Sequence, residues 1–386
     1  MGERGVTQRA VSQLKPGVRL AEEVYTPLGS LLFHKGTLIG TRELEILRAF
    51  LVERVKVEDD DVSVTVRHQR DPHLDPRHHD EARRADKQRE KARREKASFP
   101  ATDSLAPFYH QYQKLFRLIK KAFPNAVADN AQSLPLLEIR QQLKQLLDQI
   151  ELYDVLSFRP PYPDVKDYFY HNSILVALTS YLLAQWHGLP AKEHFPIALA
   201  GLLHNIGTLK VDPELLGKKT ELTSREMAEI RRHPVFGFQL LKDIPGLNEG
   251  IKMAALQHHE KIDGSGYPLG IKGEQIHIYA KIVSVADIYH AMTSDRHYKK
   301  AESPYIVLEQ LFHESFGKLD PSLVQTFINR ITSFQHGVIV RLSNNAVGEI
   351  VFTDRNNPTR PWVKVNGNII NLVTDRSLHI VEVLRT

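Results

Sequence analysis

Gln257-His258-His259-Glu260-Lys261-Ile262-Asp263-Gly264-Ser265-Gly266-Tyr267-Pro268 is the stretch of this 386-residue chain on which its fold and chemistry turn. Two adjacent histidines at a helix end reach one metal ion only where the chain turns sharply beside them. Gly264-Ser265-Gly266 permits that turn, and Pro268 fixes the exit. Alone, the pair also fits a polar surface.

Working outward, Gly201-Leu202-Leu203-His204-Asn205-Ile206-Gly207 sets His204 at the end of an apolar helix, and His233-Pro234-Val235-Phe236-Gly237 adds a third histidine location. Ile282-Val283-Ser284-Val285-Ala286-Asp287 places an acid within an otherwise apolar helix. An unpartnered carboxylate there costs roughly several kcal/mol, so ligation or pairing is expected. Taken singly, His204 is more often a satisfied core residue, and a backbone or hydroxyl partner suffices for Asp287. Four histidines and one acid in these contexts point to a nitrogen-and-carboxylate site suited to Fe, Mn, Zn or Ni. The chain has no cysteine, which excludes disulfides and thiolate ligands.

The bulk properties are those of a soluble protein of more than one domain. At 386 residues the chain exceeds the roughly 250–300 at which single cores stop growing. Hydrophobic residues at 42% and charged residues at 25% are an ordinary balance. No apolar run approaches the roughly 18 residues of a membrane span, and Met1-Gly2-Glu3-Arg4 does not open a secretory signal. A cytoplasmic location is the expectation. The formal charge of +5 permits an anionic partner without requiring one.

Residues 1–60 read as a β-rich accessory domain, its short strands broken at Leu14-Lys15-Pro16-Gly17 and Pro27-Leu28-Gly29. A capped helix is expected after Thr41, and the second half of Val52–Val57 alternates like a half-exposed strand. Residues 61–100 are dominated by charge and cannot bury a core, so they read as a linker or solvated helix. From Arg67 to Lys96 acids interleave with the bases and no aromatics accompany them, so nucleic-acid binding is not favoured. Residues 101–159 form a helical packing segment that also leaves a homodimer surface open. Phe108, Tyr112, Leu115, Phe116 and Ile119 share one face, as do Leu136, Ile139, Leu143, Leu146 and Leu147. Thr223-Ser224-Arg225-Glu226 is a capping box for a helix leading to His233. Residues 336–386 switch to β, with turns at Asn356-Asn357-Pro358 and Asn366-Gly367.

The pattern His258-His259-Glu260-x-x-Asp263-Gly264-x-Gly266-Tyr267-Pro268 resembles the signature of the HD-GYP family. The resemblance runs from 160 to 335 and takes in His233-Pro-x-x-Gly237 and Ala286-Asp287 through Tyr298. The first 60 residues also look like the β-rich unit that often precedes such domains in bacteria. The resemblance implies a multidomain, mainly α protein, an all-helical HD-GYP domain flanked by small β-rich N-terminal and C-terminal domains. It implies two or three metal ions that activate a water against a phosphodiester of cyclic di-GMP. Carried over by position, His204, His233, His258, His259 and Asp287 are metal ligands. Gly266, Tyr267, Pro268, Arg296 and Lys299 face the nucleotide.

Several positions depart from that pattern. The family's His-Asp pair reads His204-Asn205, and a neutral amide bridges two cations poorly. Its first histidine corresponds to Asn172. His171 is adjacent, but one residue on a helix is about 100° of rotation. An optional carboxylate corresponds to Tyr168, and a lysine to Thr208, with Lys210 displaced. These losses favour a catalytically impaired or inactive member that binds cyclic di-GMP, a related nucleotide or a signalling protein partner, its metal reduced or absent. The alternative is an active phosphodiesterase with a reduced metal centre.

Overall fold

The computed structural model describes residues 6–25, 31–40, 43, 44, 47, 52, 54–58, 105–160, 167–218, 220–294, 301–332, 337–354 and 356–384. The charged stretch 61–100 and most of the helix expected after Thr41 lie outside them. There are two compact units, one of residues 1–98 with 354–356, the other of 99–353 with 357–386.

In the first unit the strands are β1 (Val6–Ala10), β2 (Val18–Arg19), β3 (Val24–Tyr25), β4 (Leu31–Phe33), β5 (Leu38–Ile39) and β6 (Arg54–Glu58). They pair antiparallel as β1 with β6, β2 with β5 and β3 with β4. β6 alternates as expected, with Val55 and Val57 buried. Successive strand side chains face opposite ways, so Val55 and Val57 share one face of β6, and Val57 bridges to the buried Leu20.

The second unit is mainly helical. α1 (Ala106–Ala128) and α2 (Leu136–Leu147) bury the faces read from their 3.6-residue period. Phe108, Tyr112, Leu115 and Ile119 are fully buried, as are Ile139, Leu143 and Leu146. These faces join one apolar core with α3 (Tyr168–Trp186) and α4 (Ala191–Leu203). α3 and α4 are apolar nearly all round, the composition of helices enclosed by others. Then follow α5 (Pro213–Leu216), α6 (Ser224–Ile230), α7 (His233–Leu241), α8 (Glu249–Gln257), α9 (Ile278–Thr293), α10 (Pro304–Glu314) and α11 (Pro321–Thr332). No helix among the described residues is long and apolar enough to cross a membrane.

The Thr223 capping box is formed, its hydroxyl and the Glu226 carboxylate exchanging bonds with backbone N–H groups. The helix it opens does not run into His233, however. α6 ends at Ile230, and after a turn at Arg231-Arg232 His233 is the first residue of α7. Pro234 in the first turn of α7 explains the break, because a proline ring is tolerated there and not in a helix interior.

The chain ends in an antiparallel sheet of β7 (Ile339–Leu342), β8 (Val347–Phe352), β9 (Trp362–Val365), β10 (Asn368–Asn371) and β11 (Ile380–Leu384), ordered β10-β9-β8-β7-β11. Its core of Val340, Leu342, Ile350, Val363, Leu372 and Ile380 is completed by Tyr305 of α10. The Arg360 guanidinium donates to Glu309 of α10 at 2.9 Å, and the Ser303 hydroxyl donates to the Ile380 carbonyl. The sheet is therefore held on the start of α10 by apolar packing, an ion pair and a backbone contact.

Candidate metal centre

Each histidine of the cluster sits where a helix starts or stops. His204 follows α4, His258 follows α8, and His233 opens α7. Carbonyls in the last turn of a helix lack donors of their own, and the imidazoles supply them. His204 Nδ1 lies 2.7 Å from the Gly201 carbonyl, and His258 Nδ1 3.1 Å from those of Ala254 and Ala255. His233 Nδ1 lies 2.9 Å from the Ile230 carbonyl. A carbonyl oxygen only accepts, so each Nδ1 carries the proton. In a neutral ring the other nitrogen, Nε2, is then a bare lone pair.

The three Nε2 atoms converge. His233 Nε2 and His258 Nε2 stand 3.2 Å apart, and His204 Nε2 is 3.3 Å from Asp287 Oδ1. His233, His258 and His259 offer ligand atoms that all lie within 4.8 Å of one another. Burial lowers His233 to about 4 and His259 to about 3, and takes His258 well below its ordinary value. At neutral pH no proton lies between His233 and His258, and two facing lone pairs repel. Burial alone raises the Asp287 carboxyl, but its hydrogen bond with His204 turns the shift to well below the usual range. A divalent cation removes the repulsion, and imidazoles with one carboxylate are donors that fit Fe, Mn, Zn or Ni. Nδ1–H bonds to backbone carbonyls are also the usual way such rings are oriented for ligation.

Local sequence explains the placement. A Cβ on Gly207 would lie 2.1 Å from the His233 carbonyl oxygen, so only glycine lets the turn after His204 close against the start of α7. In the loop after His259, the buried Glu260 carboxylate accepts the backbone N–H of Leu269 at 2.6 Å and of Ile271 at 3.2 Å. A Cβ on Gly266 would lie 2.3 Å from the Lys261 nitrogen, so the loop can fold back this tightly. The result lays Tyr267 on His259, ring centroids 4.7 Å apart and 22° from parallel. The Arg231 guanidinium sits 5.2 Å from the Tyr267 ring. Neither Glu260 nor Arg231 carries a role in the sequence reading. Glu260 stands in the signature itself, while nothing in Arg231-Arg232 distinguishes the first arginine from the second, which pairs with Glu229 at 2.9 Å.

The departures from the family pattern have definite neighbours. Asn172 Nδ2 donates to Asp287 Oδ1 at 2.9 Å, which fixes the amide and leaves its Oδ1 buried without a partner. His171 does not take its place. Its ring is stacked between Tyr112 and Phe116, with Nδ1 3.0 Å from the Tyr112 hydroxyl, and burial lowers it to about 4. The Thr208 hydroxyl donates to the Asn205 amide oxygen at 2.8 Å, so two altered positions satisfy each other. Lys210 is committed to Asn130 Oδ1 at 3.1 Å. Arg296 and Lys299 lie outside the described residues.

The sequence model of one family, described as an HD domain, matches residues 159–323. Residues 159–323 form an HD domain. It carries the Gly-Tyr-Pro signature through which the sequence resembles the HD-GYP family. The chain is similar to cyclic di-GMP phosphodiesterase PA4108 of Pseudomonas aeruginosa, 35% identical over 199 residues, covering 52% of this chain and 48% of that protein. Cyclic di-GMP phosphodiesterase PdeB of Borreliella burgdorferi is 30% identical over 207 residues, covering 52% of this chain and 54% of its own. The chain thus spans about half the length of these curated relatives. Among solved structures, the HDG"Y"P protein Bd1817 of Bdellovibrio bacteriovorus aligns over 84% of this chain and 98% of its own, with a TM-score of 0.44 and 16% identity.

Proposed function

We propose that this HD domain binds a cyclic dinucleotide, cyclic di-GMP first, at a metal centre held by His204, His233, His258, His259 and Asp287, with hydrolysis lost or severely reduced. The similarity to the two phosphodiesterases supports the ligand class. The converging Nε2 atoms support the metal. The observation that carries the loss of turnover is the Asn172 amide N–H on Asp287 Oδ1. At a position where the family supplies a metal-ligating histidine, this chain supplies a donor that takes up an oxygen of the remaining carboxylate.

A bound divalent ion supplies Lewis acidity toward a phosphoryl oxygen and lowers the pKa of a coordinated water. The protein's part is to place the imidazoles and to keep Asp287 ionised. Asn205 is neutral and already bonded to Thr208, so it adds no negative charge with which to hold a second ion. Tyr267 roofs His259 and, with Gly266 and Pro268, forms a wall for the nucleotide. Arg231 beside Tyr267 offers positive charge to a phosphate, as Arg296 and Lys299 do in the family pattern. On this reading the domain works as a signalling receptor that passes ligand occupancy to a protein partner.

Metal content, cyclic di-GMP binding and cleavage, measured together on wild type and on Asn172→His/Asn205→Asp, test this function. The expected result is binding without turnover by wild type in Mn, Fe or Zn, and more metal with turnover at least about 100-fold higher in the double variant. The intact histidine cluster favours a second reading, an active phosphodiesterase with a reduced centre. Equal turnover by wild type and double variant establishes that reading instead.

A further inference from the structure

Beside the candidate metal centre, α3, the end of α9, the entry to α10 and β11 enclose a cavity of about 520 Å³. Asn172 connects the two, since it lines the cavity and its amide bonds Asp287. Two residues of the lining, Val381 and Glu382, come from β11, which is outside the residues matched as an HD domain. Two contacts hold them in place. Ile380 is buried in the core that Tyr305 completes, and the Arg341 Nε–H donates to Glu382 Oε2 at 3.1 Å.

The lining indicates what enters. Among the described residues the lining holds two carboxylates, Glu302, which accepts from Gln310, and Glu382, which pairs with Arg341, and one guanidinium, Arg159, whose Nη1 donates to the carbonyls of Leu156 and Phe158. These carboxylates keep acceptor oxygens that can take N–H donors. Phe158 and Tyr168 contribute aromatic surface to the same lining, and the volume falls in the roughly 300–1,000 Å³ range of small-molecule sites. A heterocyclic base fits this chemistry. Guanine presents two adjacent N–H groups on its pairing edge that match a carboxylate, whereas adenine lacks the ring N–H.

We propose that one base of a cyclic dinucleotide held at the metal centre passes Asn172 into this cavity, where Glu382 reads its N–H edge. The C-terminal sheet is then part of the ligand site and sets its preference for guanine. This rests on the reading that the centre takes a cyclic dinucleotide.

Calorimetric titration of the full chain with cyclic di-GMP and with cyclic di-AMP, in the same metal, tests it in wild type, Val381→Trp and Glu382→Gln. Val381→Trp puts a bulky ring into the cavity wall and is expected to weaken both ligands about ten-fold or more. Glu382→Gln is expected to lower the preference for cyclic di-GMP over cyclic di-AMP about ten-fold, with melting temperature and metal content unchanged. Wild-type binding of cyclic di-GMP with neither affinity nor preference altered by Glu382→Gln overturns the base assignment and leaves the cyclic dinucleotide reading standing. Wild type that binds neither ligand sinks both. Should Val381→Trp fail to fold, Glu382→Gln decides, because its side chain is half exposed and the change is isosteric.

Discussion

On the histidine side of the site, His204, His233 and His258 each tie Nδ1 to a helix carbonyl, and Nε2 of His233 faces Nε2 of His258, a pairing that a cation would relieve. On the amide side, Asn172 bonds to Asp287, and Asn205 to Thr208, without one. Both sides belong to one domain and share Asp287. The difference shows that the two amides find hydrogen-bond partners within the chain, whereas the facing imidazoles leave lone pairs open to a cation.

The largest effect expected from this contrast is in His258→Ala. Its ring lies 5.0 Å from that of His204, 5.3 Å from His233 and 4.2 Å from His259, at the middle of the cluster. Elemental analysis should find its metal reduced to background, whereas Asn172→Ala should retain the wild-type content. The reverse pattern breaks the division of the site into an imidazole half and an amide half.

Acid should act next. His233 at about 4, and His259 and His290 at about 3, are all lowered first by burial, and each titrates near 6.5 once unfolded. The unfolded chain therefore takes up protons that the folded chain refuses. Stability of the metal-free protein is fully present above about pH 6.5 and is lost as pH falls toward 4. Thermal melts between pH 8 and 4.5 measure this, and a flat profile contradicts it. His290 is held by Thr179 at 2.7 Å in a buried network apart from the cluster. His290→Leu should flatten the acid slope by about one proton without changing metal content.

Smaller effects belong to the loop that carries Tyr267. Glu260→Ala removes the acceptor for two backbone N–H groups and should cost roughly 1.5–3 kcal/mol in urea unfolding. Arg231→Ala loses a partly solvated contact with Tyr267 and should cost less than about 1 kcal/mol of stability. Its sharper readout is cyclic di-GMP affinity, expected to weaken a few-fold and to lose part of its salt dependence. An unchanged salt dependence argues that Arg231 does not meet the phosphate.

Much of the helical fold was legible because periodicity is a local property. The faces of α1 and α2, the Thr223 capping box and the alternation of β6 are all written within a few turns of chain. The extent of α6 was not, because Pro234 acts through the start of α7 and shows only where one helix yields to the next. His171 against Asn172 was legible as a question of rotation alone. That His171 packs between Tyr112 and Phe116 depends on residues more than fifty positions away.

By itself the sequence determined which donor types a site here can offer. The residue types in Gln257–Pro268, with His204, His233 and Asp287, restrict the donors to imidazole and carboxylate, and chemistry attaches that choice to the residues wherever they lie. The tertiary structure decided which nitrogen of each ring faces inward, that Asn172 occupies an oxygen of Asp287, and that β11 lines the neighbouring cavity. Asn172 and Asp287 are 115 residues apart, and His204 and Asp287 83. Hydrogen bonds are directional over about 3 Å, so only the packing of α3, α4 and α9 against one another could set them.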